Sequence, residues 1–249
     1  MVVTAEDELE GLRRVGRVCA LALREMAAQL RPGITTGELD RIGERVLRAH
    51  GAQSAPILAY KFPGWTCISV NDEAAHGVPG PRVIQPGDLV NIDVSAELNG
   101  YWADTGASFV VPPVDPKRAR LVEAARRAQQ AAAAMVRAGR PLNLVGKAVE
   151  AEAKRAGFKV IRDLGSHGVG RHIHEEPHFI PAFFDPKEQR RFEEGTVLTI
   201  EPFLTTRAIH TKTAADGWTI RTIDGSLSAQ FEHTYVVTKG APIPITVLD

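Results

Sequence analysis

Gly87-Asp88-Leu89-Val90-Asn91-Ile92-Asp93 returns 108 positions later as Gly195-Thr196-Val197-Leu198-Thr199-Ile200-Glu201. Each run is a glycine, a stretch of strand-prone residues and a closing carboxylate. Working outward, Arg31, Gly33, Leu39, Glu44, Arg48 and Gly51 recur as Arg137, Gly139, Val145, Glu150, Lys154 and Gly157 at an offset of 106. These positions fall in helical patterns. Leu12, Val15, Val18, Cys19, Ala22, Leu23 and Met26 repeat at three- and four-residue steps, so a helix is expected over 9–30, stopped by Pro32-Gly33. Further helices are expected over about 36–50, from 115 or 116 to about 137, and over 143–156. The chain reads as an internal duplication, with halves of roughly 1–114 and 115–249, each two helices followed by two strands. Such halves build an α+β fold in a single domain over 1–249: one curved, mostly antiparallel sheet with helices on its outer face and a pseudo-twofold axis between the halves. The two closing acids, Asp93 and Glu201, are then expected to meet near that axis.

Strands over 90–95 and 101–110 flank Asn99-Gly100, a strong signal for a tight hairpin. Counting back from that turn pairs Leu98 with Tyr101, Asp93 with Gly106 and Ser95 with Asp104. Asp93 and Asp104 then leave the same face as diagonal neighbours, about 7–8 Å apart at the backbone. Two carboxylates at that spacing repel, and a divalent cation between them removes the conflict. Glu201 in Val-Leu-Thr-Ile-Glu-Pro and Glu232 in Ala-Gln-Phe-Glu-His-Thr-Tyr-Val-Val sit in similarly strand-prone runs, and buried carboxylates need a cation. The glycine-rich segment Gly165-Ser166-His167-Gly168-Val169-Gly170 reads as a loop presenting His167 as a nitrogen ligand. Its glycine order is not that of a dinucleotide fingerprint. His174-Glu175-Glu176-Pro177-His178 matches the letters of the His-Glu-x-x-His zinc motif, but that motif needs a helix and Pro177 opposes one.

Composition narrows the class. With 44% hydrophobic and 24% charged residues the chain can bury an ordinary globular core, and 30 basic residues balance 30 acidic ones. No global field draws nucleic acid, and no run approaches the roughly 20 apolar residues of a membrane span. Cys19 and Cys67 show no metal-type or disulfide-framework spacing, which fits a cytoplasmic setting. The acidic start of the chain has the character of neither a signal nor a transit peptide.

Asp93, Asp104, His167, Glu201 and Glu232 together resemble the five-ligand dinuclear site of the methionine aminopeptidases, which have the pita-bread fold. The resemblance also runs through residues 69–79, His174-Glu175-Glu176-Pro177, Ile200-Glu201-Pro202 and Gln230-Phe231-Glu232-His233-Thr234. It implies hydrolytic removal of N-terminal methionine from peptides or nascent chains, with two divalent ions drawn from Co, Mn, Fe or Zn. By the same resemblance Asp93 chelates one ion, His167 and Glu201 bind the other, and Asp104 and Glu232 bridge both. Glu201 is also the implied general base, His174 steadies the oxyanion and His76 holds or protonates the scissile nitrogen. His233 would orient ligands from behind. The methionine pocket is expected from Cys67, Ile173, Trp218 and Phe62 or Tyr60. Three positions depart from the common family pattern: Tyr60-Lys61-Phe62-Pro63 lacks a glycine, Ile173 replaces an aromatic residue and Ser166 a glycine. The lack of a large insertion after Gly157 points to the shorter type I form, and a monomer is expected. An Xaa-Pro aminopeptidase or dipeptidase of the same fold is the rival activity, and a non-catalytic binding protein of that fold the remote one.

Overall fold

A computed structural model of the chain describes residues 1–248. The first apolar stripe becomes α1 (Glu6–Gln29), which buries Leu12, Val15, Cys19, Ala22 and Met26. It begins ahead of the expected start because Glu6, Asp7 and Glu8 form a polar first turn that apolar spacing cannot detect, and their charge suits a helix N-terminus. In α2 (Thr36–Ala49) the Glu38 amide donates to Thr35 Oγ1 at 3.1 Å, and the Thr35 amide donates back to the Glu38 carboxylate at 2.8 Å. β1 (Gln53–Ser54) leads into α3 (Ala55–Tyr60), a helix of 6 residues too short to show a period in the sequence. Ser54 caps it, Pro56 lies in its first turn, and it ends on Lys61 in the left-handed region at φ 59°.

β2 (Cys67–Val70) and β3 (Glu73–Ala75) precede the hairpin of β4 (Leu89–Leu98) and β5 (Tyr101–Val110). Asn99 and Gly100 have φ of 53° and 82°, the left-handed pair a two-residue primed turn requires. The register is the expected one, with Leu98 opposite Tyr101, Ser95 opposite Asp104 and Asp93 opposite Gly106. α4 (Pro116–Ala133) is capped by Asp115, whose carboxylate accepts from the amides of Lys117 and Arg118 at 2.8 and 2.9 Å. It stops before 137 because the Met135 and Val136 amides bond to Ala132 and Ala133, three residues back. That tighter turn carries Val136 into the core. α5 (Asn143–Ala156) ends at Gly157, φ 82°.

The remaining strands are β6 (Lys159–Val160), β7 (Gly165–Gly168), β8 (Glu175–Pro181), β9 (Val197–Ile200), β10 (Phe203–Thr205), β11 (Thr211–Thr213), β12 (Ile220–Thr222), β13 (Ser228–Val236) and β14 (Ile243–Pro244). The main sheet follows the order β1-β4-β5-β13-β9-β7-β8, with β2 beside β4, β10 and β14 beside β13, and β6 beside β10. Its ladders are antiparallel, so the expected mixed fold with an antiparallel sheet is what forms. A second sheet runs β11-β12-β3.

Helix pairs cover one face twice over. α1 packs on β4 and β5 with α2 behind it, and α4 packs on β13, β9 and β10 with α5 behind it. Side chains alternate along a strand, so Ile92, Val94, Ala96 and Ala103 meet α1 while Asp93, Ser95 and Asp104 point the other way. The first half therefore buries its oily face under a helix and turns its acids toward the opposite surface. β5 and β13 join the halves, pairing Ala107 with Phe231 and Gly106 with Glu232.

Candidate metal centre

Four strands align one row of residues across the sheet: Cys67 on β2 opposite Asp93, Asp93 opposite Gly106 on β5, and Gly106 opposite Glu232 on β13. Adjacent strands lie about 4.8 Å apart, so the backbones of Asp93 and Glu232 are separated by about 10 Å across a residue with no side chain. Asp104, two residues from Gly106, shares that face. Donor atoms of Asp104, His167 and Glu232 lie within 4.8 Å of one another, and all three residues are buried. Asp93 lies close enough to Asp104 for that carboxylate to raise its pKa, and His167 Nε2 sits 3.1 Å from Glu201 Oε1. Three of the five residues named from the sequence thus form one group of donors, with Asp93 near Asp104 and Glu201 beside His167.

Segments from the second half bring in the nitrogen and the fourth acid. The span around His167 is a short strand where a loop is expected. Its glycines are forced by crowding: a Cβ on Gly165 would lie 2.6 Å from the Ile180 carbonyl, and one on Gly168 would lie 2.3 Å from that of Glu176. β8 is that crowding neighbour, so the His174 to His178 motif is strand from Glu175 onward, with no helix to make a zinc site of its own. Ser166 Oγ accepts from the Glu201 amide at 3.0 Å, and Thr199 Oγ1 accepts from the His167 amide at 3.1 Å. These two bonds stitch β7 to the chain end that carries Glu201. His167 Nδ1 is 3.0 Å from the Gly168 carbonyl, which can only accept, so that nitrogen carries the proton and Nε2 is left to ligate.

Electrostatics show what the acids lack. Burial, then the neighbouring carboxylates, raise Asp93 and Glu232 well above the ordinary range. Burial also pushes Asp104 up to about 6, with His167 opposing and Glu201 adding to the shift. For His167, burial pulls the imidazole down, but the bond to and charge of Glu201, with help from Asp104, leave it raised. Asp104 Oδ1 and Glu232 Oε1 are buried with no hydrogen-bond partner. Orphaned buried carboxylate oxygens facing an imidazole fit a divalent cation, and a carboxylate-rich set with one nitrogen suits Mn, Fe, Co or Zn.

Above the acids lies a cavity of about 320 Å³ whose walls include Asp93, Asp104, His167 and Glu201. Glu232 is not among its wall residues. Tyr60, Phe62, Cys67, Ile173 and Trp218, the side chains expected to hold methionine, all line it. Phe62 meets Trp218 edge-on with ring centroids 5.4 Å apart. Trp218 arrives on the turn between β11 and β12, where the Asp216 carboxylate accepts from its amide at 2.8 Å. Phe203 and Leu164 also line the cavity and were not anticipated. Phe203 follows Glu201 by two residues, and that alternation was the available signal; Leu164 offered none.

His76 and His174 are open to the cavity yet hemmed in by protein. His76 has φ 51°, a left-handed conformation unusual away from glycine. Burial lowers its pKa. Burial, then the charges of His167, His76 and His178, press His174 down to about 3, so it is neutral near pH 7. Its Nδ1 lies 2.6 Å from Tyr60 Oη, and its ring centroid 4.1 Å from that of His167. His233 goes elsewhere. Adjacent strand residues face opposite ways, and His233 turns from Glu232 to contact Thr246 at 3.0 Å, Thr105 at 3.4 Å and the Tyr235 ring. It touches none of the five donors.

Comparison with known proteins adds independent findings. The model of metallopeptidase family M24 matches residues 10–239. A curated protein named methionine aminopeptidase 2, from Bacillus subtilis, is 48% identical over 249 residues and is covered, like this chain, over its full length. The crystal structure of methionine aminopeptidase from Rickettsia prowazekii superposes with a TM-score of 0.94 at 34% identity, covering 99% of this chain and 100% of that one. A prolidase from Pyrococcus furiosus has the same fold at a TM-score of 0.80 and 22% identity, with only 66% of its chain covered.

Proposed function

The chain belongs to the methionine aminopeptidases of metallopeptidase family M24, and on that footing we propose that it removes N-terminal methionine from peptides and nascent chains at the cavity above Asp93, Asp104, His167, Glu201 and Glu232. One observation carries the reading: orphaned, buried carboxylate oxygens lie directly beneath an apolar cavity lined by Phe62, Cys67, Ile173 and Trp218. The acids call for cations, and the wall suits an unbranched thioether, which gains from sulfur contacts with aromatic rings.

Two divalent ions held by the five donors would supply Lewis acidity and an activated water. The chain's own groups do the rest. Glu201 takes a proton from the attacking water. With Tyr60 Oη as donor to His174 Nδ1, the neutral ring carries its proton on Nε2, and that nitrogen would donate to the developing oxyanion. His76, whose pKa is lowered by the protein around it, hydrogen-bonds the scissile amide nitrogen. Cys19 and Cys67 are both buried and unpaired, in keeping with a reducing cytoplasm.

The test is a peptide panel run alongside elemental analysis of protein purified without added metal. Met-Ala-Ser should be cleaved in preference to Xaa-Pro peptides, with about two bound ions per chain. Preference for Xaa-Pro would overturn the substrate, and a stoichiometry of one would overturn the dinuclear site.

A further inference from the structure

Behind Glu232 lies a second polar layer that the reaction above does not use. Asn91 is 4% exposed, and Gln230 and Ser108 are 1% exposed. An amide buried without partners costs on the order of 1–3 kcal/mol, so these groups should be fully bonded. They are. Ser108 Oγ donates to the Gln230 backbone carbonyl at 3.0 Å and accepts from the Gln230 amide at 2.9 Å. Asn91 Nδ2 donates to Ser108 Oγ at 3.2 Å and to Gln230 Oε1 at 2.9 Å. Gln230 Nε2 donates to Glu232 Oε2 at 2.9 Å.

The order of these bonds fixes their direction. A side-chain amide can be turned over without changing its shape, so its orientation follows from its neighbours. A backbone carbonyl only accepts, which commits the Ser108 hydroxyl proton to Gln230. Ser108 can then only accept from Asn91, so the amino end of Asn91 must face it and Gln230 Oε1. The amino end of Gln230 is left to face Glu232. Gly106 makes the arrangement possible, since a Cβ there would lie 2.5 Å from Gln230 Oε1.

We propose that the chain Ser108, Asn91, Gln230 is a positioning device for the metal site: it occupies Glu232 Oε2 with one N–H and leaves Oε1, which has no partner, turned toward Asp104 and His167. The inference rests on the reading of Glu232 as a metal ligand. Groups that orient ligands from behind are typically worth about 10- to 100-fold in metal affinity.

Mn²⁺ titration of the metal-stripped protein provides the test. Asn91→Asp barely changes shape but replaces the donor by an acceptor, so Gln230 should turn its oxygen toward Glu232 and affinity should fall about 10- to 100-fold. Gln230→Met, of similar length, should cost about as much. Because both act through one bond, Asn91→Asp should add little in the Gln230→Met background. Wild-type affinity in both single variants, or losses that simply add, would overturn the proposal. Should Asn91→Asp fail to fold, Ser108→Ala carries the same test, with weaker Mn²⁺ binding expected at an unchanged far-ultraviolet spectrum. Asp93→Ala separates the two readings: if it binds Mn²⁺ like the wild type, the metal site itself is misplaced.

Discussion

The two halves repeat a plan and then use it differently. In the first, β4 and β5 are unbroken strands of 10 residues each, closed by a turn of two. In the second, β9 lasts 4 residues and stops before Glu201-Pro202, and its neighbour β13 arrives only after the excursion through β10, β11 and β12. The first half supplies two aspartates from a continuous ladder, while the second breaks its ladder and inserts the turn that carries Trp218. The shared order of helix pairs and strands accounts for the scaffold, and the interruption brings Trp218 to the cavity. Asp93, Asp104 and Glu232 sit on strands, whereas Trp218 sits on the inserted turn.

That division is open to attack, beginning with the ladder. Asp104→Ala should lose metal and reduce kcat/KM by about 10³-fold or more, equivalent to at least ~4 kcal/mol of barrier; elemental analysis with turnover checks it, and retained metal would break the assignment. His76→Ala should lower kcat by about 10²-fold while metal content stays normal. Loss of metal there would show that His76 belongs to the ion site. On the inserted loop, Trp218→Ala should keep its metal and weaken methionine discrimination by about tenfold, mostly in KM; an equal fall in kcat would erase the contrast between ladder and loop.

Smaller effects probe the helical layer. A Cβ on Gly16 of α1 would come 2.3 Å from the Ile245 carbonyl, and one on Gly146 of α5 would come 2.0 Å from that of Phe183. Either glycine to alanine should cost about 1–3 kcal/mol despite the gain in helix propensity, because backbone cannot yield as a flexible side chain does. Urea midpoints measure this, and a stabilised variant would contradict the close approach. The last effect concerns acid. Asp93, Asp104 and Glu232 have folded pKa values above their unfolded ones, so the metal-free folded chain binds more protons than the unfolded chain. Their contribution to stability is present below about pH 4 and is lost as pH rises through the folded values, about 6 for Asp104. Relative to Asp104→Asn, the stripped wild type should therefore melt a few degrees higher at pH 5 than at pH 7. A pH-independent difference between the two would refute it.

Some of this was legible in the sequence for plain reasons. The Asn-Gly turn has one favoured geometry, and it placed Asp93 and Asp104 on one face with the observed register. α5 was readable to its last residue because Gly157 marks the stop. Other features depend on neighbours that a linear reading cannot see. Nothing local ends α4 at Ala133; the pull of Val136 into the core does. Gly165 and Gly168 looked like a flexible loop, whereas their smallness answers the close passage of β8. The placement of His233 was the plainest limit. Proximity to Glu232 in the chain suggested a shared task, and strand alternation sends the two side chains to opposite faces.

β13 is the seam where the halves meet, and it carries Glu232. A polypeptide made from its amino end has Asp93, Asp104, His167 and Glu201 in hand well before this strand emerges. During synthesis the sheet thus stays open until nearly the last stretch has been threaded between β5 and β9, and a copy ending before it would leave a gap in the sheet and lack Glu232.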